Sequence, residues 1–385
     1  MTKRTANRIE KHMLRTWIEV DKRALEHNYK LFRRILPRGC RLMAVAKSNA
    51  YGHGLYDNAP VMEQLGVDWL GVDSIVEAVR LREIGIRKPI LVFGYTVPAR
   101  FEAAVRRDIS LTVSSFECLR ALANLGNSRK IKIHVKIDTG LHRQGFFPKD
   151  VPRVIRILKK NLAHIEVEGV YTHFALAKDP QNRAYTLGQI EDFEEALAAF
   201  QRAGFSPIRH ACATAGTFNY PEAHWDMVRI GIGLMGLWPS LKMKAALEKS
   251  FSLKPALSWR TIIAEIKSLP KGSGVSYELA ETLRRDSQVG ICPIGYWHGF
   301  PKSLSSLGEL LVQGRRARVL GLVTMDMVVV DLTDIPKVSV GDVATVIGRD
   351  GKDEVTAYEM AQKAGVSYYE LLTRLNPLIQ KYYLD

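Results

Sequence analysis

The chain has 385 residues, of which 46% are hydrophobic and 25% charged, with a formal net charge of +15. That length accommodates two domains, and no apolar run approaches the roughly 18 residues of a membrane span. The basic residues are spread along helix-surface positions, such as Arg80 and Lys88 around Glu83, which argues against a nucleic-acid patch and for a solvated surface that attracts anionic substrates. Residues 1–15 are basic and lack an apolar core, so they read as a solvated extension and not as a secretory signal.

From Trp17 the chain reads as a short strand, with Asp21 placed to cap a following helix. Apolar, β-branched runs then alternate with amphipathic helical stretches. Strands are predicted at 42–46, 69–73, 90–93, 110–113, 131–137, 167–173, 208–212 and 227–230. Helices are predicted at 74–84, 98–107, 151–160 and 189–203, where apolar residues recur at three and four. Eight strand-helix units in succession predict an α/β fold, a (β/α)8 TIM-like barrel over 16–255, in preference to a doubly wound sheet. Near Leu257 the pattern changes to short strands with close turn signals, including Gly272, Gly274, Gly295, Gly299, Gly314, Gly321 and Gly341. This predicts a mainly β C-terminal domain over 256–385, with a connector at 241–254 and helical segments at 357–364 and 368–375.

Lys47 closes the apolar run 42–46 and precedes a turn containing Asn49, Gly52 and Gly54. A lysine at the mouth of a buried strand loses its proton more readily than one in water, and the neutral amine forms Schiff bases. Taken alone, such a lysine reads as a side chain snorkelling from a strand end. Other segments change that reading, because Lys47, Arg143, His173, Thr214 and Arg229 all fall at or just past the C-terminal ends of predicted strands. Barrel enzymes build active sites on that face and often hold phosphate in the loops after strands seven and eight, which here carry Thr214 and Gly231-Ile232. The four cysteines, Cys40, Cys118, Cys212 and Cys292, form no C-x-x-C pair, so neither a zinc site nor a disulfide framework is expected and a reducing cytoplasm is the expected location.

The stretch Met43-Ala-Val-Ala-Lys47-Ser-Asn-Ala-Tyr51-Gly-His-Gly54 resembles the cofactor-lysine motif of the alanine racemases, whose usual form has Ala where this chain has Ser48. The resemblance continues through Lys136-Ile-Asp-Thr-Gly-Leu-His-Arg143, Tyr171-Thr-His-Phe174, Arg229-Ile-Gly-Ile232, Val275-Ser-Tyr277 and Met325-Asp326, in the family order and across nearly the whole chain. It implies a pyridoxal 5'-phosphate (PLP) enzyme that interconverts L- and D-alanine for peptidoglycan synthesis. Lys47 would carry the cofactor and exchange the α-proton on one face, with Tyr277 of the partner subunit acting on the other, so a homodimer with shared sites is implied. Arg229 would face the pyridine nitrogen and, by keeping its own proton, leave that nitrogen without one. His173 would lie between Arg229 and the catalytic tyrosine.

The resemblance also gives the substrate carboxylate to Arg143 and to the backbone N–H of Met325, and the cofactor phosphate to Tyr51, Thr214, Gly231 and Ile232. Lys136 would be carbamylated, an anion that orients Arg143. The chain departs from the family pattern at Ala213-Thr214, Glu278, Trp297, His298 and Thr324. The last four are expected around the substrate and the mouth of the site. They keep open a racemase of serine, lysine or broader specificity. A non-catalytic PLP-binding protein and a related decarboxylase are further alternatives. The presence of Tyr277 and Met325 counts against the first of these, and Arg229 counts against the second.

Overall fold

The computed structural model describes residues 14–124, 130–179 and 181–385. Most of the predicted N-terminal extension, residues 1–13, lies outside the described residues; Arg15 is held through its carbonyl, which accepts a hydrogen bond from the Thr261 hydroxyl at 2.9 Å. The described residues divide into two compact units, one within 23–50 and 55–255, the other within 14–22, 51–54 and 256–385.

The first unit is the expected barrel. After β1 (Thr16–Asp21), which belongs to the other unit, come β2 (Arg41–Val45), β3 (Trp69–Val72), β4 (Ile90–Val92), β5 (Ser110–Val113), β6 (Ile131–Lys136), β7 (Ile165–Tyr171), β8 (Ile208–His210) and β9 (Met227–Ile230). They form one parallel sheet in the order β8-β7-β6-β5-β4-β3-β2-β9. A bridge between Ala213 and Arg229 brings the two end strands together, with Arg229 N–H donating to Cys212 O at 2.8 Å. Strands β2 to β5 and β9 are short and mostly apolar because both faces are covered, one by helices and one by the barrel interior, whereas β6 to β8 carry several polar residues. One interior layer is Met43, Trp69, Leu91 and Met227, packed with Phe93 and Ile208.

The helices follow the predicted periodicity. Residues Val151–Lys160 bury Val151, Val154 and Leu158, and Arg183–Arg202 buries Ile190, Phe193, Ala196 and Phe200. The predicted connector contains a seven-residue helix, Leu241–Leu247, whose first turn is capped by Ser240.

The second unit is mainly β. Its strands are β10 (Leu257–Ile262), β11 (Glu265–Leu269), β12 (Gly274–Val275), β13 (Glu281–Thr282), β14 (Ser287–Cys292), β15 (Glu309–Val312), β16 (Arg315–Leu320), β17 (Val328–Asp331), β18 (Val343–Asp350), β19 (Asp353–Val355) and β20 (Lys381–Leu384). The large sheet runs β11-β14-β17-β16-β15-β18-β10-β1-β20, with β19 on β18, while β12 and β13 pair separately. Thr16–Asp21 is therefore a strand of this sheet and not of the barrel, antiparallel to β10 and parallel to β20. Local patterning gives no sign of this, because both partners lie more than two hundred residues away. Residues 51–54 also belong here: the Tyr383 hydroxyl donates to His53 O at 2.9 Å and the Tyr51 ring meets Tyr369 edge-on at 6.2 Å. Helices Ala357–Ala364, with Thr356 as N-cap and left-handed Gly365 at its end, and Tyr368–Thr373 complete the unit.

Gly236 shows how closely the barrel unit is packed. Its φ is +84° and a Cβ there would lie 1.7 Å from Lys254 O, whereas Gly39, at φ +89°, has nothing within 4 Å. Gly39→Ala should cost about 1 kcal/mol of left-handed strain, and Gly236→Ala should cost at least about 2 kcal/mol more through the backbone clash. Urea midpoints of the two variants test this; equal midpoints would contradict the packing described.

Candidate active site

Lys47 follows β2 and opens an unusual turn. Ser48, Asn49, Ala50 and Tyr51 all have positive φ, at 55°, 57°, 50° and 53°. A left-handed residue other than glycine costs roughly 1–2 kcal/mol, so four in a row must be held from outside. Glu77 supplies part of that hold. One of its carboxylate oxygens accepts from Ser48 N–H at 3.0 Å, while the other accepts from Asp73 and Ser74 N–H at 2.8 and 3.1 Å. Ser74 caps the same helix reciprocally, so this carboxylate is fixed by a capping box before it reaches the lysine turn. On the far side, Leu55 N–H donates to the Asn49 side-chain oxygen at 2.9 Å, and Ala50 is fully buried.

Arg229, at the end of β9, is 3% exposed. Its Nη2 donates to Ala211 O at 2.7 Å, to Thr172 O at 2.9 Å and to His173 Nδ1 at 3.2 Å, and its Nη1 donates to His210 Nδ1 at 2.8 Å. The guanidinium also lies 5.1 Å from the Tyr171 ring centroid. Burial lowers its pKa to about 10, which still leaves it protonated at neutral pH. Its Nε–H and second Nη1–H meet no acceptor among the described residues.

Lys136, at the end of β6, is 4% exposed and donates to Gln144 Oε1 at 3.2 Å. Its Nζ lies 5.7 Å from the Tyr171 ring centroid. Burial, then the charges of Arg143 and Arg229, lower its pKa to about 8. Asp138 opposes that shift, but it already accepts from Gly140 and His142 N–H at 3.1 and 2.9 Å, forming the sharp turn that leads to Arg143. His173 is held neutral, its pKa driven well below the ordinary value by burial and by Arg229, Arg143, Lys136 and Lys47. The barrel rim thus brings Lys47, Lys136, Arg143 and Arg229 within electrostatic reach of one imidazole. Such a surplus of cations suits an anionic ligand.

The loops after β8 and β9 add neutral donors. Thr214 begins a six-residue helix, and its hydroxyl accepts from Gly233 N–H at 3.4 Å. The turn at 231–236 uses the N–H groups of Leu234, Met235 and Gly236 for its own bonds, and Ile232 N–H is outside that set. Gly233 is required here, since a Cβ would lie 2.6 Å from both Phe32 and Thr214 side-chain atoms.

The other sequence-predicted residues lie in the β unit. Tyr277 is 71% exposed and Met325 54% exposed, and Ser276, Glu278 and Leu279 around the tyrosine have positive φ. Tyr296 N–H donates to Thr324 O and Trp297 N–H to Met325 O, both at 3.0 Å, so the loops carrying three of the four unusual residues are joined. His298 is buried, and its Nδ1 accepts from Gly295 N–H at 3.2 Å. Thr324 likewise spends its hydroxyl on Met327 O at 2.8 Å.

Sequence reasoning did not single out His134, Glu168 and His210. His210 Nε2 and His134 Nδ1 are 2.8 Å apart, and His134 Nε2 is 3.2 Å from Glu168 Oε2, which also accepts from the Ser110 hydroxyl. The available signal was polar residues inside otherwise apolar barrel strands, with Gly169 beside Glu168. That signal has no partner until the strands are side by side.

Fold and site together define a barrel protein with an appended β domain and a cation-lined rim centred on one lysine and one buried arginine. The family models "Alanine racemase, N-terminal domain" and "Alanine racemase, C-terminal domain" match residues 20–239 and 256–383. Alanine racemase from Symbiobacterium thermophilum is 41% identical over 96% of this chain and 97% of its own length, and that of Leptospira interrogans 37% over 96% of each. Among solved structures, alanine racemase from Bacillus anthracis with bound L-Ala-P aligns with a TM-score of 0.91 at 33% identity, covering 96% of this chain and 95% of that one. The chain belongs to the alanine racemase family, and it is an isomerase.

Burial lowers the pKa of His134, His173, His210, His224 and His298 from an ordinary 6.5. The unfolded chain therefore binds protons that the fold excludes, so stability is complete above 6.5 and falls as the pH drops below it. Urea midpoints at about pH 7.5 and about pH 5.3, above the carboxylate range, should show a clear loss at the lower pH. An unchanged midpoint would mean that these rings are not held neutral.

Proposed function

We propose that this chain is a PLP-dependent alanine racemase that interconverts L- and D-alanine by a two-base mechanism. Arg229 carries the argument: a buried guanidinium that stays protonated and keeps its Nε–H and one Nη1–H without an acceptor among the described residues fits an unprotonated pyridine nitrogen. The anion-suited donors of Thr214, Gly231 and Ile232 fit the phosphate, to which Tyr51 would add its hydroxyl. Lys47, on its braced turn, would hold the aldehyde carbon covalently. PLP, when bound, supplies an electron sink that acidifies the α-hydrogen of an attached amino acid.

The protein supplies the rest. Arg143, with Met325 N–H, would hold the substrate carboxylate, a task suited to the planar guanidinium fork. Lys136 supports that role from behind: burial leaves a useful fraction of neutral amine near pH 8, the form that takes up CO2, and the resulting carbamate would give Arg143 an anionic partner. The Lys47 amine would exchange the α-proton on one face and the phenol oxygen of Tyr277 of the partner subunit on the other. His173, held neutral by burial and by its cationic surroundings, would help orient that phenol. The exposure of Tyr277 in the single chain agrees with a base completed by homodimer formation. A cytoplasmic enzyme supplying D-alanine for peptidoglycan is the matching role.

Wild-type protein should racemise L-alanine to an equal mixture, followed by circular dichroism, and wash solvent deuterium into the α-position. Lys47→Ala should lose 10²- to 10⁴-fold or more in kcat, roughly the worth of a positioned proton-transfer group, and should retain no cofactor on the chain after borohydride reduction and mass spectrometry. Tyr277→Phe should retain covalent cofactor yet lose racemisation. Undiminished turnover in Lys47→Ala would overturn the proposal. No exchange in wild type would favour a non-catalytic binder, and a faster rate with serine or lysine in an amino-acid panel would reassign the substrate.

A further inference from the structure

The hydrogen-bond chain inward from Arg229 has only one consistent direction. A guanidinium can only donate, so His210 Nδ1, 2.8 Å from Arg229 Nη1, must accept. A neutral His210 then carries its proton on Nε2 and donates it to His134 Nδ1 at 2.8 Å. His134 in turn carries its proton on Nε2 and donates to Glu168 Oε2 at 3.2 Å. The chain ends there, because a carboxylate can only accept. We propose that Glu168, acting through His134 and His210, is the positioning carboxylate of Arg229: it fixes both imidazoles in the Nε2–H form and gives the buried guanidinium a remote counter-charge.

The backbone is shaped for this. β6 and β7 pair as Ile133 with Val167 and then His134 with Gly169, so Glu168 is the extra residue of a β-bulge. Bulges re-aim side chains beside active sites. The next residue must be glycine, since a Cβ at 169 would lie 2.1 Å from His134 Nδ1, the atom that receives the proton from His210. Tyr171 stacks on His210 at 4.8 Å with an interplanar angle of 9°, and Trp69 meets His134 edge-on at 5.3 Å, so neither ring has room to turn. Desolvation holds both rings neutral, and the bond to His134 keeps Glu168 ionised. Among the described residues no carboxylate bonds Arg229 directly, so Glu168 is the negative end of its network.

The catalytic part of this inference rests on the PLP reading above; the proton placement does not. Holoenzyme labelled with 15N in its histidine rings should show pyrrole-type Nε2 and pyridine-type Nδ1 for both His134 and His210. Glu168→Gln removes the charge and allows the terminal group to donate, which would turn the chain round and set His210 Nδ1–H against Arg229. Its His134 spectrum should show mixed tautomers, and its kcat should fall about tenfold with KM within about twofold, in line with loss of an outer partner. In an Arg229→Lys background the same substitution should add nothing. A protonated Nδ1 on either ring in wild type, an unchanged kcat in Glu168→Gln, or full additivity with Arg229→Lys would overturn the proposal. The wild-type spectrum stands even if the variant fails to fold. Expected tautomers in a wild-type protein without racemase activity would sink the PLP reading and leave the relay intact.

Discussion

The polar interior of this barrel is organised by one requirement, that a guanidinium sit out of water and remain charged. An isolated buried cation is costly unless it is paired or well hydrogen-bonded. Arg229 meets the requirement with two backbone carbonyls, two imidazoles and the face of Tyr171. The partners are drawn from two strand ends: Thr172 and His173 follow β7, and His210 and Ala211 lie at the end of β8. Only a closed barrel brings these ends together, so the same closure that buries Met43, Trp69, Leu91 and Met227 also builds the charge site. Lys136 and His173, whose pKa values are lowered first by burial, are lowered further by that cation.

A second cost is carried by the backbone after Lys47. Four left-handed residues together cost roughly 4–8 kcal/mol. Glu77 is well suited to offset part of this because its carboxylate is already fixed at the start of its helix by Ser74. The lysine therefore sits on a stiff turn, which suits a group that must present its amine in one geometry. Tyr51, the last of the four, belongs to the β unit through its contact with Tyr369.

Much of the barrel was legible because its signals are local. Apolar strands such as 90–93 and 131–137 and helices such as 151–160 declare themselves in runs and periodicities that need no partner. Lys47, Arg143, Thr214 and Arg229 were legible for a related reason: their positions at strand ends follow once the strands are found. Thr16–Asp21 could be read as a strand, but its membership of the β sheet depends on pairing with residues at 257–261 and 381–384, which sequence spacing does not encode.

The amino-acid sequence by itself determined the alternation of strands and helices, the change to β structure near Leu257, and the order of motifs that resemble a racemase, since each rests on residues close together in the chain. Tertiary structure alone decided that His298 is buried against Gly295, that β1 completes the C-terminal sheet, and that Glu168, His134 and His210 meet in a line ending on Arg229. Hydrogen-bond direction and burial are properties of groups brought together from distant segments. A bulge of one residue and a missing Cβ at Gly169 decide them, and neither has a meaning until β6 and β7 are paired.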